Sequence, residues 1–236
     1  NPNGGYLIIP ALRAMQLNGS HKDPLSVTAH FLRPGTGNEQ AEISTELIRS
    51  GRSVTTTRGT LKQNGTTRLE LMAAFGDLTE SSAHDYEIVI KPPDIPPPEE
   101  CLERSGEQQG VDLVINNRVE MRMSPPDPEN TSQTKAEVSG WIRLIDGREP
   151  DVLSLVLFAD AFPPPIFSYV GRVGWVPTIE FTAHIRKRPE PGWVQGKFWT
   201  EDLRDGRMIE TGLLWDSKGD LVAQSRQLAM FLPMED

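Results

Sequence analysis

The sequence predicts an α+β fold: two antiparallel sheets, each wrapped round a central helix, joined into one continuous sheet. Three observations predict it. First, a set of landmarks occurs twice in the same order at nearly the same spacing. Thr28-Ala29-His30-Phe31-Leu32-Arg33 is echoed by Thr182-Ala183-His184-Ile185-Arg186, and Arg49-Ser50-Gly51-Arg52 by Arg204-Asp205-Gly206-Arg207. Leu71-Met72-Ala73-Ala74-Phe75 is echoed by Gln227-Leu228-Ala229-Met230-Phe231. Repetition in fixed order marks a duplicated unit. Second, each unit holds one segment that is apolar almost all round, Tyr6 to Met15 and Leu153 to Phe162, which reads as a buried helix. Third, the rest of each unit alternates in polarity between turn residues, as an antiparallel meander does. A sheet wrapped about such a helix buries it, and two units that share edge strands lose an exposed edge.

The elements follow in order. Asn3 is a good cap for the first helix, and Gly4-Gly5 lets a neighbouring backbone approach. Pro10 would weaken or kink that helix if it lies beyond the first turn. Leu25 to Arg33 alternates as a strand, and Pro34-Gly35-Thr36-Gly37 turns it. Glu39 to Arg49, Ser53 to Gln63 and Thr66 to Phe75 are the next strands, with Asn64-Gly65 as a tight hairpin turn. Glu80 to Gln109 carries Pro92-Pro93 and Pro96-Pro97-Pro98 between polar flanks, so an extended, mobile linker is expected. The second unit begins with a strand, Val111 to Met123, and a loop, Ser124 to Thr134. Ala136 to Leu144 is a strand, and Leu153 to Phe162 is the central helix, with Asp160 inside it and Pro163-Pro164-Pro165 at its end. Four strands close the chain: Thr178–Arg186, Val194–Glu201, Met208–Asp216 and Asp220–Phe231. The expected division is 1–79, a linker at 80–110, and 111–236. The second unit has about two strands before its helix and the first has none, so the chain is expected to lack N-terminal strands of the first unit.

Bulk properties narrow the function. With 236 residues, 37% hydrophobic and 24% charged, two ordinary globular units fit. A net charge of −9 argues against a long nucleic-acid contact but leaves room for a local basic patch for an anionic small molecule; Arg186-Lys187-Arg188 is one candidate, although a run of three charges is more often a solvated face. One cysteine, Cys101, excludes an intrachain disulfide and supplies no metal cluster, so no metal or cofactor is expected. No apolar run is long enough to span a membrane and no signal-peptide pattern opens the chain. A soluble cytoplasmic protein is expected.

A family resemblance rests on several short runs in fixed order. They are Asn3-Gly4-Gly5-Tyr6-Leu7, Thr28 to Pro34, Gly51-Arg52-Ser53, Phe75-Gly76-Asp77, and Leu221-Val222-Ala223 leading to Gln227. With these the chain resembles the acyl-CoA thioesterases of the thioesterase II type, in their thioesterase-like branch, over nearly everything but the linker. The resemblance implies a double hotdog fold and hydrolysis of acyl-CoA to a free acid and CoA. It leaves open a homo-oligomer, dimer or tetramer. It also implies a catalytic set without a covalent serine: an Asp, a hydroxyl residue and a Gln that hold a water. Asp160 matches the Asp, Thr178 the hydroxyl and Gln227 the Gln.

Elementary chemistry suits those roles. A thioester carbonyl is electrophilic, a carboxylate can take a water's proton, and Thr and Gln can orient the water or donate to the developing oxyanion. Backbone N–H groups of Gly4 and Gly5 can add substrate-binding donors at a helix start. The repeat offers its own check: the first-unit counterparts are read as Pro24 for Thr178 and Leu71 for Gln227, so only the second unit carries the polar set. Blander readings stand beside these. Asp160 between Phe158 and Phe162 could pair within a core, though a buried charge is costly. Thr178 suits any strand. Gln224 competes with Gln227, but strand parity puts Gln227 with Leu221, Ala223, Ser225, Ala229 and Phe231 on the helix side. His30 and His184 occupy equivalent repeat positions, as do Arg52 and Arg207, which favours structural roles for all four. The alternative to a hydrolase is a non-catalytic acyl-CoA-binding protein of the same fold. A dehydratase is disfavoured because neither central helix contains a His.

Overall fold

A computed structural model describes residues 2–78, 86–104, 114–125, 136–171 and 174–233. The first helix, α1 (Gly4–Gln16), starts where expected. Asn3 has extended backbone and its side chain accepts from the N–H of Tyr6. Ile8, Ala11, Leu12 and Met15 are fully buried at helical spacing, so α1 is a one-sided stripe rather than apolar all round. Pro10 sits beyond the first turn on the exposed side, and the helix continues through it to Gln16. Four strands follow: β1 (Asp23–Phe31), β2 (Glu42–Ser50), β3 (Thr55–Gln63) and β4 (Thr66–Gly76). The β3–β4 turn is the expected Asn64-Gly65, both residues at positive φ (49° and 71°).

Beyond them lie β5 (Leu102–Glu103), β6 (Val119–Met123), β7 (Glu137–Leu144), α2 (Val152–Phe158), α3 (Ile166–Val170), β8 (Gly174–Trp175), β9 (Thr178–Ile185), β10 (Val194–Arg204), β11 (Arg207–Trp215), β12 (Leu221–Met230) and β13 (Leu232–Pro233). Short β5, α3, β8 and β13 were not expected, because two to five residues carry no readable period. Residues 114–117 form a short 3₁₀ turn and the expected strand shrinks to β6; its start at 111–113 and most of the loop after it lie outside the described residues. The central helix is shorter too. A capping box at Asp151 and Ser154 starts it, and it stops at Phe158, so Asp160 lies just past its end rather than inside.

One sheet runs through both units in the order β2-β3-β4-β1-β9-β12-β11-β10-β7-β6-β5, and β8 pairs with β13 apart from it. The seam is the antiparallel pair β1–β9, in which Thr28 faces Thr182 and their hydroxyls are 3.0 Å apart. Those are the equivalent threonines of the repeat, so a local two-fold runs through the seam. One large core fills the inner face, where α1 packs on β1 to β4 and α2 packs on α1 and on β1 and β9, and a small second cluster gathers round Ile166, Met208 and Ala229.

The linker is extended, but its described part, 86–104, is fastened rather than loose. Trp215 Nε1 donates to the carbonyl of Ile90 (2.8 Å), Gln195 Nε2 to that of Pro93 (2.7 Å) and Trp141 Nε1 to that of Pro96 (2.8 Å). A proline-rich strap lacks N–H donors, so it is held through its carbonyls by side chains of β11, β10 and β7. Trp215→Phe removes one tie and also shrinks a fully buried side chain. The expected cost is about 2–4 kcal/mol in urea denaturation, most of it the cavity left by the smaller ring, with faster proteolysis within 86–104.

Candidate active site

Asp160 owes its position to two helix ends. The N–H of Asp160 still bonds to the carbonyl of Leu157 (3.1 Å), which ends α2 in a tight turn, and Pro163-Pro164-Pro165 cannot prolong it. The carboxylate meets the N-terminus of α1. Oδ2 accepts from the N–H of Gly5 (2.8 Å) and from Asn3 Nδ2 (2.8 Å), which also donates to the Asp160 carbonyl (2.9 Å). Asn3 therefore caps its own helix with its oxygen and holds Asp160 with its nitrogen. Gly5 is required by close approach: a Cβ there would lie 3.0 Å from Asp160 Cβ and 3.0 Å from the Val156 carbonyl. A Cβ on Gly4 would lie 2.8 Å from the ring of Phe31 and 3.1 Å from Asp160 Oδ2. The Gly5 N–H expected to meet a substrate is directed at Asp160 instead, and Gly4 lines the pocket described below. Burial pushes the Asp160 carboxyl up to about 6, against the opposing bonds from Gly5, Asn3 and Gly4.

The sheet brings a second group to the same place. Thr178 opens β9, Gln227 lies on β12, and Thr178 Oγ1 donates to Gln227 Oε1 (2.9 Å). Gln227 Nε2 donates to Oε1 of Glu210 on β11 (2.7 Å), its ladder partner. Gln227 and Glu210 are buried. Gln224 pairs with His184 and takes no part in this group. Glu210 and the bridging role of Asn3 were not read from the sequence. Parity along β11 puts Glu210 with buried Met208 and Leu214, and a Glu in that row was the available signal. Strand pairing also revises the repeat: Gln227 faces Phe181 as Ala73 faces Val27, so its first-unit counterpart is Ala73, not Leu71. His30 and His184 are exposed and, like Arg52 and Arg207, lie outside the pocket.

Asp160, Thr178, Gln227 and Glu210 line one cavity of about 590 Å³. Its walls include Leu7, Phe31, Phe162, Phe167 and Trp175, with Arg33 and Arg104 as cations, and both units contribute. Phe162 stacks on Phe198 with centroids 4.6 Å apart, which stiffens one wall. Among the described residues no cluster of side chains suits a metal ion, and no helix is long and apolar enough to cross a membrane.

Comparison with known proteins places this architecture. The chain is 33% identical to a crystal structure assigned as a thioesterase II from Thermobifida fusca YX, covering 97% of this chain and 86% of that one with a TM-score of 0.83. A conserved protein of unknown function with a hot dog fold from Alicyclobacillus acidocaldarius matches with TM-score 0.82 at 23% identity, covering 100% of this chain and 89% of that one. An uncharacterised protein of Mycobacterium tuberculosis is 26% identical over 247 residues, covering 89% of this chain and 76% of that protein. Fold and pocket thus define an α+β hotdog protein of the thioesterase class. The chain belongs to the acyl-CoA thioesterase family, whose N-terminal domain model matches residues 1–76 and C-terminal domain model residues 93–231, and it is an acyl-CoA thioesterase.

Asn3→Ala removes a helix cap and a donor to Asp160. The expected results are a loss of about 1 kcal/mol in denaturant unfolding and an Asp160 pKa above its present value, read by carboxyl carbon NMR titration.

Proposed function

We propose that the chain is a double hotdog, with units at 1–79 and 111–236 tied by residues 80–110, and that Asp160, Thr178 and Gln227 activate a water to hydrolyse acyl-CoA. The observation that supports this reading most is that the three side chains, on α2's end, β9 and β12, line a single cavity whose other walls are largely apolar. Such a cavity suits an acyl chain, and the family supplies the acyl-CoA substrate.

In the proposed reaction Asp160 takes a proton from the water as its oxygen bonds to the thioester carbonyl carbon. The Thr178 hydroxyl already donates its hydrogen bond to Gln227 Oε1, so its oxygen accepts one from the water and fixes the water in place. The tetrahedral oxyanion is met by a donor; Gln227 Nε2 has a second N–H beyond the one given to Glu210. Collapse breaks the C–S bond, the CoA sulfur leaves with the proton held by Asp160, and the free acid remains.

A base works only when deprotonated, and burial sets Asp160 at about 6. In the wild type kcat/KM is therefore expected to rise with pH through about 6, followed as free thiol released from a panel of acyl-CoAs. Asp160→Ala is expected to lower kcat by roughly 10²–10⁴-fold. Unchanged turnover in that variant sinks the mechanism.

A further inference from the structure

We propose that Glu210 is a positioning residue for this reaction: by accepting from Gln227 Nε2 it turns the Gln227 amide oxygen toward Thr178, so that the Thr178 hydroxyl oxygen is left to accept from the attacking water. The inference rests on the hydrolytic site described above and adds a group to it that does not touch the reacting atoms.

The geometry carries the argument. A terminal amide can turn over with little torsional cost, and its two ends present opposite hydrogen-bonding character. Thr178 alone cannot choose between them, because a hydroxyl both donates and accepts. The Glu210 oxygen at 2.7 Å from Gln227 Nε2 makes the choice. The cost of keeping Glu210 there is visible. Its Oε2 is buried without a hydrogen-bond partner, as is the hydroxyl of Thr200, which faces it across the β10–β11 ladder. An inward strand position beside Leu214 and Met208 would be filled more cheaply by an apolar side chain. In the first unit Thr57 faces Ala73 where Glu210 faces Gln227, so carboxyl and amide occur together only in the copy that has Thr178.

The charge state fits the role. Burial pushes the Glu210 carboxyl up to about 8; the bond from Gln227 opposes this and the charge of Asp160 adds to it. At neutral pH Glu210 is thus uncharged: its Oε1 accepts from Gln227 Nε2, and the carboxyl proton belongs on the other oxygen, Oε2. The charged groups that line the cavity with it are then Asp160, Arg33 and Arg104, and Gln227 and Thr200 face it from β12 and β10. Above about 8 its ionisation puts a second negative charge near Asp160 and the oxyanion, and turnover falls.

The test compares the wild type with Glu210→Leu and Glu210→Gln, by thiol release from an acyl-CoA between pH 5 and 10. Glu210→Leu is expected to lower kcat by roughly 10–100-fold with a smaller change in KM. Glu210→Gln, a neutral acceptor of the same shape, is expected to recover most of that loss. The wild-type profile falls above about 8; the Gln variant lacks this limb and keeps the rise near 6. A readout without turnover is the Gln227 side-chain amide in ¹⁵N NMR, which should titrate near 8 in the wild type and stay flat in Glu210→Gln. If Glu210→Leu does not fold, the Gln profile and the NMR titration decide. Wild-type kcat in Glu210→Leu, a Gln variant as impaired as Leu, a persisting alkaline limb, or a flat wild-type amide each overturn the proposal. A wild type that releases no thiol defeats the hydrolytic reading itself, and this inference with it.

Discussion

The contact between the Asp160 carboxylate and the N-terminus of α1 ties the rest together. A carboxylate at the end of one buried helix is costly unless donors meet it, and the free N–H groups of another helix start are suitable donors. Asn3 and Gly5 provide them, and the glycine lets α1 come against the backbone of α2 at Val156. The same contact joins the two repeats across the core and exposes a carboxyl group to the cavity. It is not a free gain in stability. Because the folded pKa of Asp160 stands above the ordinary 3.8, the native state favours the protonated form. Its contribution to stability is full below that ordinary value and is lost as pH rises through about 6. At neutral pH the chain carries this buried charge at some expense to its fold, the trade expected if Asp160 is the proposed base.

The two halves of the sheet differ where the proposed site lies. A local two-fold at Thr28 and Thr182 makes the two halves of the sheet equivalent as scaffolding, with β4 and β12 matched through Ala73 and Gln227. Equivalent strand positions then differ in character: Pro24, Ala73 and Thr57 in one half, Thr178, Gln227 and Glu210 in the other. The first half is not idle. It lends the helix end that steadies Asp160, and Phe31 and Leu7 to the cavity wall. The strap from 86 to 104 is then bound to β11, β10 and β7 through the carbonyls of Ile90, Pro93 and Pro96, and its last residue returns to the cavity as Arg104, which donates to the carbonyl of Ala161 (2.7 Å).

Much of this was written in local pattern. The repeat, the Asn64-Gly65 turn, the long strands and the inward face of Gln227 all follow from periods of two or from turn chemistry, which neighbours in sequence reveal. The misreadings share a cause. The run Leu153 to Phe162 looks like one helix because it is apolar, yet the helix stops at Phe158 in a tight turn, and the Asp160 carboxylate meets its partners at the start of α1. The linker looked mobile because proline prevents regular structure, and its anchors lie in strands far along the chain.

By itself the sequence determined the class of fold, the duplicated order of its strands and which residue types were available for chemistry, because patterning and turn preference are local properties. Tertiary structure alone decided that Asn3 and Gly5 would hold Asp160 from 155 or more residues away, and that Glu210 would stand behind Gln227. Those contacts depend on how two helix ends meet and how strands register, and neither is a property of any short stretch of chain.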